Sequence, residues 1–214
     1  MRYYRYRLAF PRVQWSVAMV LLAIMAVALF VDRVLMGGWL TVHFGCRPVL
    51  LTREPWRLLT AVFLHGGLMH LLFNGLWIFI LGQIVEPRLG GPRFLALFLL
   101  SGIGGNLCWA LLNWNNPLTE AIGASGAVFG GMAAAAYLAP YVQLYVWGLL
   151  PVKMRDLAIF YFILEVLLSF TSYSDGIAHM AHAGGAVVGF LYIVIDQRVR
   201  QRWRPPTSWP PRGW

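Results

Sequence analysis

The sequence has little charge of either sign, and least of the negative: 8 acidic and 17 basic residues among 214, or 12%. Soluble domains carry about a quarter charged residues, so an ordinary water-soluble fold is excluded. Cysteine is scarce as well. Cys46 stands in a loop-like stretch and Cys108 in an apolar run. They make neither a disulfide framework nor a CxxC metal motif and read as free thiols. What the chain does have is apolar residues, 59% of the total, in long charge-free runs rather than amphipathic patterns. Such runs belong in a bilayer, and beside them no separate soluble domain fits. The net charge of +9 and the pI near 10.2 then read as loop charges that orient a membrane protein, not as a nucleic-acid surface.

A bilayer core of about 30 Å takes roughly 20 helical residues per crossing, which allows six spans at most. The first runs from Val13 to Val31, entered through Arg2, Arg5, Arg7 and Arg12 and closed by Asp32 and Arg33. It is longer than a signal-peptide core and has no small-x-small cleavage site after it. A semi-apolar loop of about 30 residues follows, too long for a simple connector. The second span is Leu68 to Val85, ended by Glu86, Pro87 and Arg88, and the third is Phe94 to Asn113. Pro140 and Pro151 divide the next charge-free stretch into a fourth span, Ser125 to Ala139, and a loop through Val152. The fifth span is Asp156 to Phe170 and the sixth Gly176 to Ile195.

The expectation is an all-α membrane protein with a basic segment at 1–12, a six-helix domain at 13–195 and a basic Pro/Trp-rich tail at 196–214. Six spans put 13 of the 17 basic residues on one side, leaving Arg33, Arg47, Arg53 and Arg57 on the other. Both termini are then cytoplasmic and the long first loop lies outside. The N-terminus has no transit-peptide character and no soluble domain is appended, so a bacterial inner membrane is expected.

Polar groups inside a span cost free energy unless paired, so an intramembrane His, Asn or acid is a functional candidate. Here they gather at one depth. His70 and Asn74, four apart on one helical face, open the second span; Gly123, Ala124, Ser125 and Gly126 open the fourth; His179 and His182 open the sixth. That set permits acyl transfer. A serine hydroxyl needs an adjacent base, and neutral imidazole is the side chain best matched to that task near neutral pH. Ser125 and His182 can form such a dyad, while Asn74, His70 and the backbone N–H groups at the start of the fourth span can donate to an oxyanion. Gly126, Gly130 and Gly131 facing Gly185 and Gly189 would let the two helices approach closely enough for a Ser–His hydrogen bond.

With these residues the chain resembles the rhomboid family of intramembrane serine proteases over about Val13 to Ile195. The resemblance rests on four ordered motifs: Trp56-Arg57, His65-x4-His70-x3-Asn74, Gly123-x-Ser125-Gly126, and Ala181-His182-x2-Gly185-x3-Gly189. It implies Ser125 as nucleophile, His182 as general base, and His70 and Asn74 as oxyanion donors. It also implies His65 as a structural histidine and Trp56-Arg57 as a brace for the first loop. Phe129 stands where the family often has a Tyr stacked on the catalytic His. The implied partners are single-pass transmembrane substrates in the lipid bilayer, with no metal, nucleotide or other cofactor and no nucleic acid.

Other readings are weaker. His179 is the base if the helix phase differs. Glu120 or Asp175, near the outer span ends, would serve if a triad acid exists, although the family works with a dyad. Glu165 is the one acid well inside a span, and its function is unassigned. No His is followed by Glu in an HExxH metalloprotease motif, and no GxGD aspartyl motif is present. Two alternatives from other classes stand beside the protease: a membrane protein binding metal or haem through its five histidines, and an inactive rhomboid relative that binds clients. The second usually lacks the Ser or the His, and this chain has both.

Overall fold

In lipid no water can satisfy backbone N–H and C=O groups, so the apolar runs close their hydrogen bonds internally as helices. The computed structural model describes residues 16–146, 148–170 and 178–202. The N-terminal basic segment, Asp175, Gly176 and the tail past Arg202 lie outside the described residues. The chain passes through α1 (Val17–Phe30), prolonged by a π-helical turn (Val31–Leu35), then α2 (Trp39–Phe44) and α3 (Arg57–Thr60) of the first loop. Next come α4 (Leu68–Leu89), α5 (Gly91–Leu112) and α6 (Ser125–Leu138). The strands β1 (Gln143–Val146) and β2 (Leu150–Lys153) follow, then α7 (Met154–Ser169) and α8 (His179–Arg202).

Among the described residues four helical stretches are long and apolar enough to cross a membrane: Val17–Leu35, Leu68–Leu89, Gly91–Leu112 and His179–Arg202. Ser125–Leu138 is a shorter apolar helix. Large apolar side chains such as Val27, Phe73, Leu111 and Leu167 stand exposed on the bundle's outside. Lipid tails suit that perimeter, and water does not.

Several boundaries differ from the sequence reading, each for a local reason. The first span does not stop at Asp32. That carboxylate is buried and accepts hydrogen bonds from Thr41 N (3.1 Å) and Thr41 Oγ1 (2.6 Å), so the helix continues to Leu35. Nor does α4 end at Val85. Glu86 turns inward and accepts from the N–H groups of Val17 (2.7 Å) and Ala18 (3.1 Å), capping α1, and α4 runs on to Leu89. Helix α8 extends past Ile195 because Asp196 pairs with Arg93 at 3.2 Å, so residues 196–202 belong to the helix and not the tail. The loop after α6 is a β-hairpin pairing Gln143 with Lys153 and Val146 with Leu150. Its alternating sequence is only four residues a side, too short to stand out from the apolar run around it.

The core of the bundle is α5, α6 and α8, packed backbone against backbone. A Cβ on Gly185 would strike the carbonyl of Gly126, and one on Gly189 the backbone of Gly130. Gly131 departs from the expected stripe: it faces Leu81 of α4. Backbone cannot yield as a side-chain tip can, so Gly189→Ala is expected to destabilise the fold by about 2 kcal/mol or more. The measurement is the thermal unfolding midpoint in detergent against wild type.

Candidate active site

The first loop is a scaffold for the start of α6. Arg57 is buried and donates to the carbonyls of Val42 (3.2 Å) and Gly45 (2.9 Å), with Glu54 as its ion-pair partner. Trp56 beside it is half exposed, and its carbonyl accepts from Thr60 Oγ1 at 3.2 Å. Cys46 and Ala121 then form a two-way β-bridge, both hydrogen bonds at 3.0 Å. Gly123 N donates to Ala61 O at 2.9 Å, and Arg47 pairs with Glu120 at 2.7 Å. Glu120 is therefore committed to the loop and does not reach a histidine. Both cysteines are free, and burial pushes the Cys46 thiol up to about 12, which keeps it a packing residue.

Held this way, residues 121–124 deliver Ser125 as the first residue of α6. Its Oγ lies 2.7 Å from His182 Nε2 on α8. The His182 ring stacks on Phe129, centroids 4.6 Å apart and planes within 6°. Phenylalanine thus keeps the stacking expected of a tyrosine and does so without a hydroxyl. Phe129 and Trp77 each meet Tyr161 edge to face, at 6.3 and 6.5 Å.

On the opposite side stand His70 and Asn74 of α4. Gly66 N donates to His70 Nδ1 at 3.3 Å, so Nδ1 accepts and the proton of the neutral ring sits on Nε2. That nitrogen faces Gly123, where an added Cβ would stand 2.7 Å away. Gly123 also has φ +123°, a conformation that side-chain-bearing residues avoid. Asn74 Nδ2 donates one hydrogen to His70 O at 3.1 Å and keeps a second. Ser125, His182, His70 and Asn74 line one cavity of about 560 Å³. A serine hydrogen-bonded to an imidazole, with two N–H donors across the gap, can add an oxygen nucleophile to a carbonyl and stabilise the negative oxygen that results.

Of the remaining histidines, His65 packs on His70, His179 lies beside His182, and His43 stands apart on the first loop. His65 is buried against His70, ring centroids 5.0 Å apart, and burial holds its pKa down to about 4, so it is a neutral structural group. His43 is exposed and stacked on Trp39 at 4.1 Å. His179 is buried, with Nδ1 2.6 Å from Glu165 Oε2 and its ring 6.4 Å from that of His182. The imidazole that accepts from the Ser125 hydroxyl is that of His182 and not that of His179, as the Gly185 and Gly189 spacing indicated. The contribution sequence reasoning missed is that of Glu165, whose Oε2 also lies 3.0 Å from His182 Nδ1. Its signal was present in the sequence: the one acid well inside a span must find a partner.

The fold and site define a helical membrane protein with a serine–histidine pair between two closely packed helices. The family model described as "Rhomboid domain" matches residues 52–199. The chain is 36% identical over 141 residues to "RHOMBOID-like protein 4" of Arabidopsis thaliana, covering 64% of this chain and 33% of that protein. It is 35% identical over 150 residues to "Putative rhomboid protease YdcA" of Bacillus subtilis, covering 70% of this chain and 71% of that protein. Over 100 residues it is 40% identical to "Rhomboid protease GluP" of Bacillus subtilis, covering 46% of this chain and 19% of that one. The chain spans a third to a half of the length of several relatives it matches, and more of YdcA. The chain belongs to the rhomboid family, and like its members it is an integral membrane protein.

Proposed function

We propose that the protein is an intramembrane serine endopeptidase that cuts single-pass transmembrane proteins near the outer part of the bilayer. The observation that carries this reading is the 2.7 Å hydrogen bond between Ser125 Oγ and His182 Nε2 inside a cavity that also holds His70 and Asn74. Ser125 is the nucleophile and His182 takes its proton; Asn74 Nδ2, His70 Nε2 and the first N–H groups of α6 receive the oxyanion. Retention of both dyad residues favours this over a client-binding relative without activity.

In this reading α1, α4, α5, α6, α7 and α8 are the six spans, and both termini are cytoplasmic. The support is the count of 13 basic residues on one side against four on the other. The match to a Bacillus protein along most of both chains supports a bacterial plasma membrane. A helical substrate hides its carbonyls, so the segment to be cut should carry Gly, Pro or other small residues that let it unwind. No metal or nucleotide enters the mechanism.

The test is active-site labelling, which needs no knowledge of the substrate. A fluorophosphonate probe is expected to label the wild-type protein at Ser125 and to leave Ser125→Ala unlabelled. An unlabelled wild type, or a labelled alanine variant, would overturn the proposal.

A further inference from the structure

We infer that Glu165 is a positioning residue for His182, completing a Ser125–His182–Glu165 array inside the membrane; this rests on the proteolytic reading above. For His182 to accept the proton of Ser125 on Nε2, its own ring proton must sit on Nδ1. That nitrogen is buried and has no aligned hydrogen-bond partner among the described residues. The nearest acceptor is Glu165 Oε2 on α7, 3.0 Å away and off the N–H axis. Long or bent contacts of this kind tighten in the Michaelis complex, so the geometry fits a group poised to hold the ring.

Two further observations point the same way. A carboxylate 8% exposed in an apolar bundle must be paired, and the partners of Glu165 are the two histidines of the first turn of α8. His179 Nδ1 sits 2.6 Å from the same Oε2 and holds the carboxylate beside His182. In addition, Phe129 fixes the plane of the His182 ring but offers no polar atom, so nothing in the stack sets rotation within that plane. Glu165 supplies that missing constraint.

The proton inventory closes. The Ser125 O–H bond breaks as Oγ forms its bond to the scissile carbon, and the proton goes to His182 Nε2. The proton on Nδ1 stays there throughout, facing the carboxylate, which balances the charge of the imidazolium. Nε2 then gives its proton to the amine as the C–N bond breaks; water attacks the acyl-serine that remains, Nε2 takes the water's proton, and the proton passes to Ser125 Oγ as the ester bond breaks.

The experiment uses the full-length protein in detergent, with Glu165→Gln and Glu165→Asp. For each, kcat, KM, the rate of fluorophosphonate labelling and the thermal midpoint are measured. Glu165→Gln keeps size and loses charge; kcat and labelling rate are expected to fall together by roughly 10²-fold, with KM and the midpoint near wild type. Glu165→Asp keeps the charge on a shorter arm and is expected to recover about tenfold over the glutamine variant. Wild-type labelling by Glu165→Gln, with or without a lower midpoint, would reduce Glu165 to a tie between α7 and α8 and overturn the inference. Should the glutamine variant not fold, unchanged labelling by Glu165→Asp overturns it, and slowed labelling supports it. Glu165, His179 and His182 also bring ligand-type atoms within 4.8 Å of one another. Loss of wild-type labelling on treatment with a chelator would therefore overturn the inference in favour of a bound cation. A wild-type protein that neither labels nor cleaves would instead sink the protease reading on which it rests.

Discussion

Ser125→Ala and His182→Ala are each expected to reduce cleavage of a transmembrane substrate by roughly 10⁴-fold or more, to background in a gel-based assay. In the proposed mechanism the two groups act as a unit: without Oγ there is no atom to attack, and without Nε2 there is no acceptor for its proton 2.7 Å away. The double variant should consequently be no worse than either single one, where independent contributions would multiply. The two variants differ in stability. Ser125 loses one oxygen, whereas His182→Ala empties the space beside Phe129 and frees Glu165 from one partner, so its thermal midpoint should drop further. Measurable turnover by Ser125→Ala, in a preparation with a wild-type midpoint, would remove the serine from the chemistry.

The second large effect is expected at the proposed oxyanion donors, Asn74 and His70. Asn74→Ala should lower kcat by about 10²- to 10³-fold with a much smaller change in KM, because the amide meets a charge that develops only after attack. Asn74 is buried and its other amide hydrogen is held by the His70 carbonyl, so the donor is aimed before substrate arrives. His70→Ala should lower kcat by a comparable factor, because the Gly66 contact on Nδ1 leaves the ring proton on Nε2 to donate to the same oxygen; a near-wild-type kcat would remove His70 from that role. Single-turnover rates on one substrate separate these outcomes. A KM rise with unchanged kcat for Asn74→Ala would assign the amide to substrate binding instead.

Much of this was legible in the sequence because lipid imposes a simple code. A helix is the default for a long apolar run, and every polar residue within one demands a partner. That code singled out Ser125, His182, His70 and Asn74 as candidates by depth and spacing, the rhomboid resemblance supplied their expected roles, and the structure brings the four around one cavity. It failed where polar residues find partners far along the chain. Asp32, Glu86 and Asp196 read as span ends because charges usually stop at the interface. Each is instead tied to Thr41, Val17 and Ala18, or Arg93, and the helix passes through it. Glu165 failed for the same reason: nothing in its own segment names His179 and His182 as its neighbours. The Gly131 stripe failed on angle, since one residue of helical phase turned it from α8 to α4.

The carboxylate of Glu86 also bears on the order of assembly. The first turn of α1 is closed in part by a side chain 69 residues further along the chain. When α1 leaves the ribosome, that side chain has not been made, and the N–H groups of Val17 and Ala18 must borrow partners from water or lipid headgroups. Only when α4 arrives can they be taken over, so the first helix to be synthesised is not the first to be finished. Docking α1 against α4 thus completes a cap that α1 cannot make within its own segment, and a substitution at Glu86 is expected to weaken that docking.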